Sequence, residues 1–174
     1  MMQLAIDAPR IGIVGWKDSG KTTLAAALVK ELTQRGLHVA TVKSAHHAFT
    51  IDDPGTDSGK HAAAGAAETA ILGGNRWAIM HNRSAPGQRD LTLDDMLLRM
   101  SPCHLVLAEG FKNSPHKKIE VRGANADTPP LSVSDPNIIA IATDTVLDTD
   151  KPVFARDDIT AIADFLLREL GIAP

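Results

Sequence analysis

The chain has 174 residues, 44% hydrophobic and 22% charged, with a net charge of −3, which suits one soluble domain with a proper core. No stretch reaches the ~18 apolar residues of a membrane span, and Met1 to Arg10 lacks the basic-then-apolar run of a signal peptide. The acidic balance, aromatics at 3% and the lack of tyrosine argue against a basic nucleic-acid face or a base-stacking platform.

The elements read in chain order as follows. Arg10 to Gly15 is a short apolar run ending in glycine, a buried strand. From Lys21 to Arg35, Leu24, Ala27, Leu28 and Leu32 recur at helical spacing, and Gly36 stands where a helix commonly ends. Leu37 to Lys43 is β-branched and predicts a second strand. Strand, glycine loop, helix and strand make a βαβ unit with a parallel sheet. Ala48 to Ser58 reads as a polar loop and Ser58 to Ala64 as a helix. Ala67 to Leu72 and Arg76 to His81 predict a hairpin turning at Gly73-Gly74-Asn75.

Thr92 and Asp95 have the spacing of a capping box, opening a helix that ends before Pro102. His104 to Ala108 is an unbroken apolar strand that leads to Glu109-Gly110-Phe111-Lys112. Lys118 to Val121 and the fully apolar Ile138 to Ala142 are further strands, the second expected to be central. Asp157 or Asp158 caps a last helix that runs to about Leu170, before Gly171. Gly123 to Pro136 is expected to be a mobile loop. Cys103, the single cysteine, reads as a packed hydrophobe, and its isolation fits a reducing, cytoplasmic setting. The fold class expected is α/β, a P-loop NTPase with a mostly parallel sheet flanked by helices and a β-hairpin excursion, in a single domain over 1–174.

The chemistry concentrates at Gly15-Trp16-Lys17-Asp18-Ser19-Gly20-Lys21-Thr22, a G-x-x-x-x-G-K-T phosphate loop placed between a predicted strand and a predicted helix. Gly15 and Gly20 let consecutive amides curl round a phosphate, and the helix start adds unpaired N–H groups. Lys21 is expected to reach the β- and γ-phosphates, and the Thr22 hydroxyl to ligate Mg²⁺. A second Mg²⁺ ligand belongs at the end of a neighbouring apolar strand. Glu109 has that place, and Gly110 is expected to let the backbone pass close to the γ-phosphate. Asp144, just beyond Ile138 to Ala142, can accept from guanine N1 and N2 or merely cap a turn. Trp16 either lies over the mouth of the site or covers apolar surface. Trp77 reads as core or interface.

His46, His47 and His61 invite a metal or anion reading beside that of a polar loop. The two adjacent histidines are a poor chelating pair on a strand, where neighbouring side chains point to opposite faces. Asp52 and Asp57 could assist Mg²⁺, orient water or simply be solvated.

The ordered motifs Gly15 to Leu24, Val42-Lys-Ser-Ala-His-His47, Asp53-Pro-Gly-Thr-Asp-Ser58, Ala64-Gly-Ala66, Arg76-Trp-Ala78 and Glu109-Gly-Phe-Lys112 together resemble the MobB family. These are adaptor proteins of molybdopterin-guanine dinucleotide biosynthesis, and the resemblance spans about Ile11 to Phe165. It implies a GTP-binding homodimer with slow hydrolysis that uses Mg²⁺ and assists the guanylyltransferase MobA in joining GMP to molybdopterin. Carried over as nucleotide residues are Gly15, Gly20, Lys21, Thr22, Thr23 and Glu109, with Lys21 and Glu109 as the catalytic candidates. Two other functions stay open. One is a small-molecule P-loop kinase, with Arg83, Arg89 or Arg122 as lid arginines; the other is a metallochaperone GTPase served by the histidines.

Overall fold

Six strands hydrogen-bond in the order β2-β5-β1-β6-β7-β8, with every pair parallel. They are β1 (Arg10–Val14), β2 (Val39–Lys43), β5 (Leu105–Glu109), β6 (Lys118–Val121), β7 (Ile138–Ala142) and β8 (Val153–Phe154). A computed structural model gives these coordinates and describes residues 1–45, 53, 55–82, 89–123 and 128–173. The sheet belongs to the larger of two units, Met1–Ser44 with Leu91–Pro174; Ala45–Asp90 forms the other.

Helix α1 (Lys21–Gln34) follows β1. Leu24, Leu28 and Leu32 stand one turn apart on one face and are at most 2% exposed, so the helix holds to the sheet by a single apolar stripe. It stops where Gly36 turns left-handed, at φ 84°. There the amides of Gly36 and Leu37 bond back to Thr33 and Leu32, which satisfies the last carbonyls of the helix. Helix α4 (Ile159–Glu169) is capped by Asp158 through the Ala161 amide. It shares one core with α1, Ile11, Ile13, Leu105, Leu107, Ile119 and Val121. Alternate residues on the same strands, Val42, Val106 and Ala108, join a second core with Ala5, Ala8, Cys103 and helix α3 (Leu93–Leu97). Both faces of the sheet are therefore covered, as parallel strands require. Cys103 is 3% exposed, and burial raises its thiol pKa, in line with the packed role expected.

Most elements fall where the sequence places them, including the Thr92–Asp95 capping box. Two features differ. Strand β8 is too short to leave a pattern; through it β7 gains a second neighbour and so lies inside the sheet, but next to its edge. The segment expected to be mobile, Gly123–Pro136, is tied down where it is described. Lys118 and Glu120 lie on the face of β6 opposite Ile119 and Val121, and both are at most 1% exposed. The Lys118 ammonium meets Asp135 at 2.9 Å. The Glu120 carboxylate accepts from the amides of Leu131 and Ser132, both at 2.9 Å, at the start of a 3₁₀ turn over Leu131–Val133. Arg122 donates to Glu120 at 3.2 Å and to the Thr128 carbonyl at 2.8 Å.

In the second unit, Thr56 caps helix α2 (Asp57–Ala63) by accepting from the Gly59 amide. The predicted hairpin is present as β3 (Glu68–Leu72) paired antiparallel with β4 (Trp77–His81), Leu72 standing opposite Trp77. Thr69 on one hairpin face is 5% exposed, whereas Leu72, Trp77 and Ile79 on the other are 85%, 67% and 58% exposed. Trp77 is thus not core within this chain. His46, His47, Asp52 and Arg83 lie outside the described residues.

Removing one partner of a buried ion pair strands the other charge. Glu120→Ala should therefore lower the unfolding free energy by about 3–5 kcal/mol in urea titrations, and should free the turn at Leu131–Val133 to exchange its amides faster.

Candidate functional site

The phosphate loop leaves the carboxyl end of β1, which is clamped between β5 and β6 with Ile13 level with both Glu109 and Ile119. A β-carbon on Gly15 would come 2.4 Å from the Val121 carbonyl oxygen and 2.5 Å from Ser19 Oγ. Only glycine permits the loop to start there. Asp18 adopts a left-handed conformation at φ 59°, and Gly20 caps α1 at φ 96° with no side-chain cap bond. No acidic residue stands in the first turn of α1. The helix thus offers its first amides and positive dipole end to an anion.

Lys21 lies across the loop, its ammonium donating to the Trp16 carbonyl at 2.6 Å. Burial and then the neighbouring Lys112 ammonium hold its pKa below the ordinary lysine value, against the opposing pull of Glu109 and Asp18. A lysine so disfavoured in its charged form marks a place where added negative charge is stabilised. Trp16, 40% exposed, carries the Lys112 ammonium 4.5 Å above its ring centroid, a cation–π arrangement. Its indole N–H donates to the Pro129 carbonyl at 3.1 Å. Trp16 therefore bridges the phosphate loop to the segment that Glu120 anchors.

Thr22 and Glu109 meet: the hydroxyl donates to Glu109 Oε1 at 2.7 Å. Oxygens on neighbouring vertices of a Mg²⁺ octahedron, about 2.1 Å from the metal, stand about 3 Å apart. The pair therefore fits an edge of such a shell, with the remaining positions left to phosphate and water. No cluster of three or more His, Cys, Asp or Glu side chains able to hold a metal occurs among the described residues. A Mg²⁺ shared with a nucleotide needs no such cluster. Gly110 has φ 91°, and the group nearest a β-carbon there would be Ser44 Cβ at 3.0 Å. A side chain at Gly110 would thus be strained in backbone and crowded against Ser44.

Behind the start of α1 lies a cavity of about 530 Å³, bordered by Gly20, Thr23, Val121, Asp144 and Arg156. Asp144 is not simply a turn cap. The Arg156 Nε donates to Asp144 Oδ2 at 2.7 Å, a second guanidinium nitrogen reaches the same oxygen, and the Arg156 amide bonds Oδ1. These bonds depress the Asp144 pKa, so the cavity presents an ionised acceptor. Arg156 has no sequence signature and was not anticipated. Lys43 ends β2, and its ammonium lies 3.0 Å from Glu109 Oε1.

Of the proposed lid arginines, Arg122 is buried against Glu120 and so does not form a lid, while Arg89 donates to the Asp90 carbonyl in the other unit. Asp57 pairs with Lys60 and is almost fully exposed, and His61 is an exposed residue of α2.

Comparison with known proteins bears on the whole chain. Residues 10–144 match the model of the family described as molybdopterin guanine dinucleotide synthesis protein B, MobB. The chain is 35% identical over 162 residues to the molybdopterin-guanine dinucleotide biosynthesis adapter protein of Escherichia coli, covering 91% of each. The Haemophilus influenzae adapter protein is likewise 35% identical, with 91% of this chain and 87% of that one covered. Among solved structures, a crystal structure of molybdopterin-guanine biosynthesis protein B superposes with TM-score 0.69 at 29% identity, covering 93% of this chain and 99% of that one. The MobB homologue from Bacillus stearothermophilus gives 0.65 at 29% identity, with coverage of 94% and 98%. The family match over residues 10–144, the sequence likeness to curated relatives over 91% of the chain and the shared fold agree, and the chain belongs to the MobB family.

Proposed function

We propose that the chain is a GTP-binding adapter with slow GTPase activity that works in the cytoplasm as a homodimer. It assists a MobA-like guanylyltransferase in attaching GMP to molybdopterin. The observation that carries this reading is the 2.7 Å contact between Thr22 and Glu109 at the mouth of the phosphate loop, in a family whose curated relatives are named adapter proteins of this pathway. Lys21 supplies positive charge to the β- and γ-phosphates, and the amides from Trp16 to Thr23 wrap them. Mg²⁺, held by Thr22 and Glu109 together with the nucleotide, would neutralise charge developing between the last two phosphates. Slow turnover is in keeping with Arg122 and Arg156, each already tied to a carboxylate. Lys21→Ala should abolish detectable GTP binding in isothermal titration calorimetry. The wild-type chain should co-purify with a molybdopterin guanylyltransferase better with GTP than with ATP. No complex and no GTP preference would leave only a generic nucleotide-binding protein.

Guanine preference rests on Asp144. Its ionised carboxylate can accept from guanine N1 and N2, both donors, while Arg156 fixes its orientation. Such charge-assisted bonds contribute roughly 1.5–3 kcal/mol. Asp144→Asn should therefore weaken GTP about ten-fold or more and improve xanthosine triphosphate, as read in competition binding. An unchanged order of preference would sink the assignment.

The homodimer is supported by the exposed apolar face of the hairpin, where Leu72, Trp77 and Ile79 lie together on paired strands. A face of this kind favours burial against a second surface. Trp77→Glu should shift sedimentation from dimer to monomer while leaving the far-UV spectrum unchanged; a dimer that persists would place the interface elsewhere.

A further inference from the structure

Lys43 is the last residue of β2, and it pairs in register with Glu109, the last residue of β5. Its ammonium lies 3.0 Å from Glu109 Oε1 and donates to Thr22 Oγ1 at 3.3 Å. Those two oxygens are themselves 2.7 Å apart. The three atoms form a nearly equilateral triangle, and two of its corners are the oxygens spaced as an edge of a Mg²⁺ shell. The ammonium thus occupies the edge that a metal would use. It also draws on the same oxygen, Oε1, that Thr22 bonds.

The two partners differ in freedom. The Glu109 side chain is 13% exposed and fixed at a strand end, whereas that of Lys43 is 59% exposed on a four-carbon stem. A carboxylate so enclosed needs a counter-charge, and the lysine can supply one and still withdraw into water. A lysine placed only to bind phosphate has no need to sit on the metal ligands.

We propose that Lys43 is a tethered stand-in cation for the Mg²⁺ edge. Without metal it neutralises Glu109 and keeps Thr22 paired with it; when metal arrives with the nucleotide, Lys43 yields the edge and swings outward. Its role is to position Thr22 and Glu109 and to set how much Mg²⁺ is needed, not to touch the reacting phosphate. The inference rests on the nucleotide reading above. It predicts effects of opposite sign with and without metal. Free of metal, Lys43 shields a bound triphosphate from the Glu109 charge; in the presence of metal, it competes.

The test uses a fluorescent GTP analogue and the full chain, comparing wild type with Lys43→Met, Lys43→Gln and Glu109→Gln, first in EDTA and then along a Mg²⁺ titration. Both Lys43 variants should bind the analogue more weakly in EDTA. Their half-saturating Mg²⁺ concentration should fall about three- to ten-fold, the range set by an ion pair of about 1 kcal/mol. Equal weakening in both conditions would overturn the proposal and make Lys43 a phosphate ligand. An unchanged or raised half-saturation would overturn it as well. Wild type and Glu109→Gln responding alike to Mg²⁺ would instead remove Glu109 from the metal site, and the proposal with it. A wild-type chain that binds no nucleotide at all would refute the underlying reading rather than the role of Lys43. Removing the counter-charge of the nearly enclosed Glu109 should lower the melting temperature of the Lys43 variants modestly, so binding is compared at a temperature where thermal melts show every variant folded.

Discussion

Strand β1 is held on both sides by parallel neighbours, with Ile13 level with Glu109 of β5 on one side and Ile119 of β6 on the other. That register fixes where the chain leaves the sheet. It sets the first residue of the phosphate loop against the backbone of β6, where only a glycine fits beside Val121. It also brings the end of β5 level with the start of α1, so that Thr22 and Glu109, 87 residues apart, come within one hydrogen bond. A one-residue slip would turn Glu109 to the other face of the sheet. The apolar stripes of Ile11, Ile13, Leu105 and Leu107 oppose such a slip, because each would lose its place in the α1–α4 core.

The far face of the sheet near β6 is covered by irregular chain rather than by a helix, and this explains its buried charges. A covering loop brings backbone amides that need acceptors. Glu120 supplies one, accepting from Leu131 and Ser132, and Arg122 balances its charge while bonding the Thr128 carbonyl. The same segment offers the Pro129 carbonyl to the Trp16 indole. An unbroken series of hydrogen bonds and covalent links thus runs from β6 through 128–132 to the phosphate loop. Trp16 therefore has a partner that its place in the loop alone did not reveal.

How much of this could be read beforehand follows from the length of each signal. The β1–loop–α1 unit, the capping box and the two end glycines announce themselves within a few residues, because turn and cap chemistry is local. Glu109 was legible as the single acidic end of an apolar strand. Its bond to Thr22 was implied by chemistry rather than by pattern. Lys-Ile-Glu-Val-Arg, from Lys118 to Arg122, alternates like a half-exposed strand. Its charged face is nonetheless buried, because what covers it comes from a loop with no periodicity. Arg156 and β8 escaped for a related reason: a two-residue strand and a lone arginine acquire meaning only from Asp144 and Ile141 beside them.

The distribution of charge ties these pieces together. The chain as a whole is acidic, with a net charge of −3, yet Lys43 and Lys112 both lie close enough to Lys21 to act on it, with Glu109 and Asp18 as the opposing carboxylates. Burial first, then Lys112 and more weakly Lys43, press the Lys21 pKa down, and each lysine has its own acceptor: Lys21 the Trp16 carbonyl, Lys112 the Trp16 ring, Lys43 the Glu109 carboxylate. A crowd of cations held by such modest partners is a local cost in folding, and charge that is costly to the empty fold is charge available to a polyanion. In an otherwise acidic chain, positive charge is therefore concentrated at this end of the sheet, where it is available to an anion.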